Sequence, residues 1–153
     1  MEQLTIKPDD PGTPEARRLI EELDLYLSDL YPAESNHLLS VEALQQPNAT
    51  FLLAQINGKV AGCGAFVNHQ GKYAEIKRMF VLPDFRGKGI GWRILNDLET
   101  SALANGLKVS RLETGVSQPD ALKLYERSGY RRRGRFAPYI DDPLSVFMEK
   151  KLG

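Results

Sequence analysis

The segment Arg86–Gly91, with the sequence RGKGIG, combines three glycines with two cations near the middle of the chain. Glycine has no Cβ atom, so backbone N–H groups in such a segment can come close to a ligand. An apolar, strand-like run precedes the segment at 76–82, and an amphipathic, helix-like run follows it at 90–103. Because the N-terminal end of a helix favours an anion, this glycine loop predicts a phosphate-binding site.

Two better-known phosphate loops do not fit this spacing. A P-loop requires Ser or Thr after its lysine, whereas Gly89 follows Lys88. A Rossmann fingerprint requires its third glycine at the position of Trp92, and it belongs after an early strand. An ordinary exposed turn is the plainest alternative for glycine and basic residues between a strand and a helix. The helix-like run that starts at Ile90 favours the anion site over that turn.

Length and composition fit one globular domain spanning residues 1–153. The chain is 42% hydrophobic and 26% charged, close to the average of globular proteins. Lys plus Arg and Asp plus Glu both number 20, which gives a formal net charge of zero. A broad basic surface for nucleic acid or for an anionic membrane is therefore not expected. The first residues lack the pattern of a secretory signal and no apolar run is long enough to span a bilayer, which predicts a cytoplasmic protein.

Cysteine and histidine are too scarce to suggest a metal centre. Cys63 is the only cysteine, and His37 and His69 are the only histidines, so no metal is expected. Cys63 lies in a run of small and apolar residues at 60–66 that is typical of a buried strand. We therefore expect its thiol to act as a small hydrophobic group and not as a nucleophile.

The remaining pattern alternates strands with helices. Apolar alternation and turn residues predict strands at 3–7, 50–56, 59–67, 73–82, 107–114, 130–133 and 145–150. Helical periodicity predicts helices at 14–30, 41–45, 90–103 and 118–128, the first of them capped by Thr13. Asn57-Gly58 indicates a tight hairpin, and the strand at 73–82 should extend it as an antiparallel meander. Helices between the later strands imply a mixed sheet with βαβ crossovers, hence an α/β or α+β fold.

The glycine loop and a second motif resemble the GNAT (GCN5-related N-acetyltransferase) superfamily. The family's loop has the form Arg/Gln-x-x-Gly-x-Gly, which Arg86, Gly89 and Gly91 match. A later helix-to-strand block of the family is matched by Ala121, Leu124, Tyr125, Gly129 and Tyr130. The resemblance covers most of the chain, and segments 112–119 and 143–148 look like a bacterial subgroup of uncertain acceptor. It implies a mixed, splayed sheet of about six to seven strands, flanked by helices on both faces, with a V-shaped opening.

The resemblance also implies acetyl-CoA as the cosubstrate, with its pyrophosphate on the glycine loop. Arg86 is the favoured phosphate contact because the family motif includes it, whereas a solvated side chain is the default for Lys88. The residues assigned to CoA binding in this way are Phe80, Val81, Arg86, Gly87, Lys88, Gly89, Ile90, Gly91, Gln118 and Tyr125.

Acetyl transfer to an amine requires a base, an oxyanion site and an acid. An alkylamine is neutral in only about one molecule in 10³ at pH 7, so a base or proton relay contributes to the rate. Glu75 resembles the catalytic glutamate of some GNAT enzymes; a salt-bridged strand residue and a water chain are the alternatives. Tyr125 matches the tyrosine near the CoA sulfur and is expected to protonate the thiolate, with core packing as its alternative. The oxyanion is expected to meet a backbone N–H near Val81, at a β-bulge that the family carries.

The sequence indicates the acceptor site less clearly than the CoA site. Arg78 could pair with a carboxylate, and the opening could be lined by Tyr26, Tyr31, His37 and Tyr139. Packing or surface exposure is the more common explanation for each of these residues. Four arginines at 131–135 lie on a predicted strand that would disperse their charge, so they do not indicate a nucleic-acid site.

These observations predict an acetyl-CoA-dependent N-acetyltransferase that moves an acetyl group directly to an amine of a small molecule or peptide. Two alternatives stay open: an acyltransferase with another acyl-CoA or a hydroxyl acceptor, and a non-catalytic CoA-sensing module. The glycine loop does not separate them, because pyrophosphate is common to all CoA thioesters. Neither nucleic acid nor membrane is expected as a partner, and the resemblance implies a homodimer as a common assembly.

Overall fold

The computed structural model describes residues 3–153. Its helices are α1 (Pro14–Leu30), α2 (Val41–Leu44), α3 (Ile90–Ala104) and α4 (Pro119–Arg127). Its strands are β1 (Leu4–Pro8), β2 (Ala49–Ile56), β3 (Lys59–His69), β4 (Tyr73–Val81), β5 (Val109–Gly115), β6 (Arg131–Arg133) and β7 (Ser145–Lys151). The strands form one sheet in the order β1-β2-β3-β4-β5-β7-β6. The predicted mixed sheet of six to seven strands is confirmed, and the predicted segments agree with these bounds to within two residues.

The two long helices begin in different ways. The Thr13 hydroxyl accepts a hydrogen bond from the Ala16 amide at 3.2 Å and caps α1, as predicted. Helix α3 has Gly89 at its N-cap in the left-handed conformation, with φ of 76°, and no side chain caps its first turn. The first N–H groups of a helix lack partners within the helix. Those of α3 are therefore available to a ligand.

The sheet is continuously paired from β1 to β4 and opens between β4 and β5. Strands β1 to β4 form the predicted antiparallel meander, and the β2–β3 hairpin turns at Asn57-Gly58, where both residues have positive φ. Strands β4 and β5 are parallel and pair over only three positions, from Ala74–Ser110 to Ile76–Leu112. Both strands continue beyond Ile76 and Leu112 without pairing with each other. The sheet therefore splays into a V at this seam.

A β-bulge in β4 lies beside the seam. Cys63 of β3 pairs with Phe80 and Ala65 pairs with Lys77, so Arg78 and Met79 together lie opposite Gly64. Arg78 has φ of 58°, which is uncommon for a residue with a side chain and typical of a strained bulge. The bulge was predicted near Val81 and lies two to three residues earlier. It falls where Gly64 leaves room for the Met79 side chain, since a Cβ on Gly64 would lie 2.6 Å from the Met79 sulfur.

Helices cover both faces of the sheet, as predicted. Alternate residues of β2 point to opposite sides, so Leu52 packs in the cluster of α3 whereas Leu53 packs in the cluster of α1. The α3 cluster is built on Ile94, Leu95 and Leu98, and the α1 cluster on Leu19, Ile20 and Leu23. A smaller aromatic cluster contains Phe136, Tyr139 and Phe147. Within residues 3–153, no helix combines the length and the apolar character needed to cross a bilayer.

Candidate active site

The glycine loop has the geometry of an anion site. Gly87 and Gly89 both lie in the left-handed region, with φ of 81° and 76°. A Cβ added at either position would meet no atom within 4 Å, so glycine is required here for backbone conformation and the space above the loop is open. This open space lies directly before α3. The loop and the helix N-terminus together fit a pyrophosphate group.

A groove of about 640 Å³ runs from the glycine loop between β4 and α4. We call it the loop groove. Of the residues predicted to bind CoA, it is lined by Phe80, Val81, Arg86, Gly87, Gly89, Ile90, Gly91, Gln118 and Tyr125. Lys88 is exposed and lies outside the lining, so its contact with CoA stays a prediction. Tyr26, which was expected near the acceptor, lines this groove instead.

Arg86 is held over the loop groove by three contacts. Its Nε donates to the Val81 carbonyl at 2.9 Å, and its guanidinium lies 5.7 Å from the Phe80 ring and 5.9 Å from the Tyr26 ring. Two further cations, Lys123 and Arg127, line the groove from α4. These two cations were not among the predicted site residues, although their spacing of four residues places them on one helix face.

A second, smaller cavity of about 90 Å³ lies in the V of the sheet, and we call it the inner cavity. Its walls come from the end of α1, segment 35–39, the β4 bulge, the end of β5 and the start of α4. The predicted acceptor residues Tyr31, His37 and Arg78 line it. The loop groove and the inner cavity share five lining residues: Leu23, Met79, Thr114, Gln118 and Tyr125. The two spaces therefore meet at Tyr125.

Tyr125 is buried on α4, with 6% of its surface exposed. Its ring packs edge-to-face against Tyr130, with the ring centroids 5.8 Å apart. Burial raises the pKa of the Tyr125 hydroxyl well above its usual value of 10, and the negative charge of Glu113 raises it further. The hydroxyl therefore keeps its proton at neutral pH and can donate it where the two spaces meet. The side chain also packs in the core, which was the alternative reading, and its role as the proton donor stays a prediction.

Glu75 lies behind the wall of the inner cavity. Its carboxylate is 3% exposed, and one oxygen lies 2.9 Å from His69 Nε2. The other oxygen accepts a short hydrogen bond from the Tyr139 hydroxyl and lies 3.5 Å from Lys77 Nζ. Glu75 does not belong to the lining of the inner cavity. Its role as the base stays a prediction that would require these contacts to rearrange.

Tyr139 is also placed differently from the expectation. It packs against Phe136 and Phe147, and it lies outside the lining of the inner cavity. Its hydroxyl accepts a hydrogen bond from Lys77 Nζ at 2.8 Å. Lys77 Nζ also donates to the His37 carbonyl at 3.0 Å. Tyr139 thus contacts Lys77, which lines the inner cavity, and does not line the cavity itself.

Arg78 and Tyr31 fix two walls of the inner cavity. Arg78 Nε donates to the Leu39 carbonyl at 2.9 Å, and its guanidinium forms an ion pair with Asp24. The Tyr31 hydroxyl donates to Gln118 Oε1 at 3.2 Å and accepts from the Ser117 amide at 3.1 Å. These contacts tie the end of α1 to the start of α4. The pairing of Arg78 with a carboxylate of the acceptor stays a prediction.

Glu113 is the acidic residue of the inner cavity, and the sequence analysis assigned it no role. It lies near the end of β5 and lines the cavity together with Thr114 and Gly115. Burial raises the pKa of its carboxyl to about 7, although a hydrogen bond with Ser145 and the charge of Lys77 both lower it. The available signal was an acidic residue in strand β5, at a position just beyond the β4–β5 pairing.

The amino-acid sequence as a whole is similar to that of known proteins. Residues 16–130 match the sequence model of the acetyltransferase (GNAT) family. The chain belongs to the GNAT family. The expected family is thereby confirmed, and with it the splayed sheet that the resemblance implied.

Individual relatives of this GNAT protein are similar over the full chain. An IAA acetyltransferase of Azospirillum brasilense is 50% identical over 153 residues, covering 99% of this chain and 100% of the relative. A Klebsiella pneumoniae structure assigned as an acyl-CoA N-acyltransferase has 36% identity and a TM-score of 0.86, covering 99% of each chain. A GNAT acetyltransferase of Elizabethkingia anophelis, solved with acetyl-CoA bound, has 22% identity and a TM-score of 0.69 over 97% of this chain and 98% of its own. The protein is thus an acyltransferase that transfers groups other than aminoacyl groups.

Cys63 is placed as a structural residue of this GNAT fold. It is fully buried in the α1 cluster, and its thiol donates to the Arg78 carbonyl at 3.3 Å. Burial raises the pKa of the thiol to about 12, so almost no thiolate forms at neutral pH. We predict that acetyl transfer is direct and that the Cys63→Ala variant retains kcat. Mass spectrometry of acid-quenched turnover mixtures checks this, and an acetylated Cys63 peptide would contradict it.

Proposed function

We propose that the protein is an acetyl-CoA-dependent N-acetyltransferase that moves the acetyl group directly to an amine of a small molecule or peptide. The observation that carries this proposal is the meeting of the loop groove and the inner cavity at Tyr125. A CoA thioester has a polyphosphate at one end and a reactive carbonyl at the other. The loop groove has the same order: cations and accessible backbone N–H groups lie at the glycine loop, and the buried Tyr125 hydroxyl lies where the groove meets the inner cavity.

The loop groove supports a CoA ligand through several independent features. The open space at Gly87 and Gly89 and the uncapped start of α3 suit a pyrophosphate. Arg86, Lys123 and Arg127 add three positive charges along the groove. The small volume of the inner cavity favours an acetyl group over a longer acyl chain. The bulge at Arg78–Met79 supplies irregular backbone beside the cavity, which is where an oxyanion donor is expected.

The charges around the inner cavity favour an amine as the acceptor. Its two cations are already engaged, Arg78 with Asp24 and Lys77 with Tyr139 and the His37 carbonyl. Glu113 is the acidic side chain of the lining, and Ser35 and Asn36 add neutral polar groups. A carboxylate with neutral polar neighbours suits an ammonium group. In this arrangement Tyr31 and His37 shape the wall against the acceptor, and Tyr125 donates a proton to the departing thiolate.

CoA release measured against an acceptor library tests the function. The library should contain amino acids, polyamines, aminoglycosides, peptides and alcohols, together with IAA because a relative carries that name. Acetyl-CoA should be compared with propionyl-CoA and butyryl-CoA. Turnover with an amine and acetyl-CoA is expected. Preference for an alcohol or for a longer acyl group would favour the alternative acyltransferase, and CoA binding without turnover would favour the CoA-sensing module.

Trp92 provides a direct measure of CoA binding. It is the only tryptophan of the chain, it lines the loop groove, and half of its surface is exposed. A ligand that covers the indole removes water from it. We predict that CoA shifts the emission of Trp92 to shorter wavelength in a saturable manner, whereas N-acetyltryptophanamide shows no shift. An unchanged spectrum at CoA concentrations that calorimetry shows to be saturating would contradict the placement of CoA beside Trp92.

A further inference from the structure

Two glutamates lie on neighbouring strands, Glu75 buried and Glu113 half-buried, and of these two only Glu113 lines the inner cavity. Glu75 is on β4, within the three paired positions of the seam, whereas Glu113 is the first residue of β5 beyond those positions. Because the strands separate there, the inner cavity reaches Glu113. We propose that Glu113 is the catalytic base that takes the proton from the acceptor ammonium group. The inference rests on the proposed N-acetyltransferase function and deepens it.

The contacts of Glu75 explain why it is the weaker candidate. Both of its oxygens are engaged, one by His69 and the other by Tyr139 and Lys77. An ammonium group could reach Glu75 only after displacing one of these donors. Its contacts suit a positioning role instead, because they hold Lys77 and Tyr139 behind the cavity wall. Glu113 belongs to the wall itself, where its hydrogen-bond partner is the single side chain of Ser145.

The proton transfers balance with Glu113 and Tyr125 alone. Glu113 takes one proton from the bound ammonium group, which frees the nitrogen lone pair. The nitrogen then forms the new C–N bond to the thioester carbonyl carbon, and the C–S bond breaks with its electron pair on sulfur. Tyr125 donates its hydroxyl proton to that sulfur and recovers a proton from the nitrogen. Glu113 afterwards releases its proton to solvent, so the products are the amide, CoA thiol and one proton.

The charge of Glu113 links the two steps. Besides burial, that charge contributes to the raised pKa of Tyr125. When Glu113 accepts a proton, its negative charge disappears, and the pKa of Tyr125 falls. The hydroxyl therefore becomes a better donor only after the acceptor has lost its proton. If Glu75 were the base, its protonation would lower the pKa of Tyr125 less, because its charge is shared among three donors.

The surroundings of Glu113 determine the expected pH dependence. The ionisable groups that face it from the packed elements are Lys77 and Glu75 of β4, Tyr125 of α4, Tyr31 after α1, and Tyr139 and Asp142 before β7. Burial and the two carboxylates raise the pKa of Glu113, Lys77 lowers it, and the result is about 7. Only the ionised carboxylate can accept a proton. We therefore expect kcat to rise with pH through about 7 and to level off above it.

Three glutamine variants of the full-length protein test the inference with the amine that gives turnover. Glu113→Gln is expected to lower kcat at pH 8 by about 10²-fold, to leave the acetyl-CoA KM nearly unchanged and to lose the rise in kcat near pH 7. Glu75→Gln is expected to lose less rate and to keep the rise. Glu149→Gln, whose carboxylate pairs with Arg111 and Arg133 outside both spaces, is the matched control and should keep the wild-type kcat.

A second measurement does not depend on activity. Carbon-13 NMR of the side-chain carboxyl groups should show one glutamate that titrates near pH 7 and disappears in Glu113→Gln, and circular dichroism should show that the variants are folded. Wild-type kcat in Glu113→Gln, or a greater loss in Glu75→Gln, would overturn the inference while the N-acetyltransferase function stands. Wild-type protein that turns over no amine would instead overturn the proposed function itself.

Discussion

Tyr125→Phe is expected to lower kcat by about 10²-fold or more while leaving the KM for acetyl-CoA within about threefold of the wild-type value. Phenylalanine keeps the ring volume and the edge-to-face contact with Tyr130, so the fold and the groove are retained. The variant lacks the hydroxyl proton at the point where the loop groove and the inner cavity meet. CoA thiolate then has to leave without a proton, and only the chemical step is affected. Single-turnover kinetics measure this step directly.

Tyr130→Phe is the matched control for this experiment. Tyr130 stands beside Tyr125, and its hydroxyl shares a hydrogen bond of 2.7 Å with Ser110 in the core, away from both spaces. Its removal should reduce stability without changing the rate constant of the folded enzyme. A wild-type single-turnover rate in Tyr125→Phe would show that Tyr125 has a packing role alone.

The raised pKa of Tyr125 changes the energetics inferred from its usual value. An ordinary phenol with a pKa of about 10 protonates a thiolate with a pKa of about 8.5 at a modest cost. Burial makes the Tyr125 hydroxyl a weaker acid than that. The departing thiolate lies in the same desolvated space, however, and desolvation raises the pKa of a thiol as well. The two shifts offset each other, so the donor role remains feasible.

Gly62→Ala is expected to reduce the free energy of unfolding by about 1–3 kcal/mol, because the new methyl group overpacks a buried site. A Cβ at this position would lie 2.6 Å from the Phe80 carbonyl oxygen and 3.3 Å from the Val81 Cα. These are backbone atoms of β4, so relief requires the strand to move away from β3. Phe80 and Val81 also line the loop groove, and CoA affinity should fall together with stability. Thermal and denaturant unfolding, with CoA titration, measure both effects.

Gly134→Ala provides the comparison. A Cβ on Gly134 would meet no atom within 4 Å, and its backbone does not lie in the left-handed region. This substitution should change the free energy of unfolding by less than about 0.5 kcal/mol. If Gly62→Ala behaved like Gly134→Ala in both stability and CoA affinity, the close approach of β3 to the β4 bulge would not constrain the groove.

Local signals predicted those features that depend on neighbouring residues. The hairpin at Asn57-Gly58 requires two positive φ values that these residues tolerate, and the cap at Thr13 needs only its own hydroxyl and one amide. The glycine loop belongs to the same class, since its conformation and the following helix are both encoded within a few residues. This local encoding accounts for the loop residues that line the loop groove, whereas Phe80, Gln118 and Tyr125 were expected there from the family resemblance.

Features that depend on pairing between distant strands could not be predicted in this way. Glu75 and Glu113 are both acidic residues within strands, and which of them reaches the cavity depends on where the β4–β5 pairing ends. Tyr139 appeared suitable for the opening by type, but its loop folds it into the aromatic cluster behind Lys77. The position of the bulge likewise follows from a contact between Gly64 and Met79, 15 residues apart along the chain. The pattern of a single sequence does not indicate which distant residues are in contact.

The three-position seam between β4 and β5 affects how the width of the cleft can change among related sequences. Each arm of the V is braced by antiparallel pairing on its outer side, β4 by β3 and β5 by β7. Beyond Ile76 and Leu112 no backbone pairing joins the arms, and side chains fill the space around them. On the helices that follow the two arms, for example, a Cβ on Gly91 would lie 3.4 Å from Leu124 Cδ2. The width of the cleft therefore depends on side-chain volume and not on backbone hydrogen bonding between β4 and β5. Single substitutions of such side chains can widen or narrow the cleft for a new acceptor while the strand pairing stays unchanged.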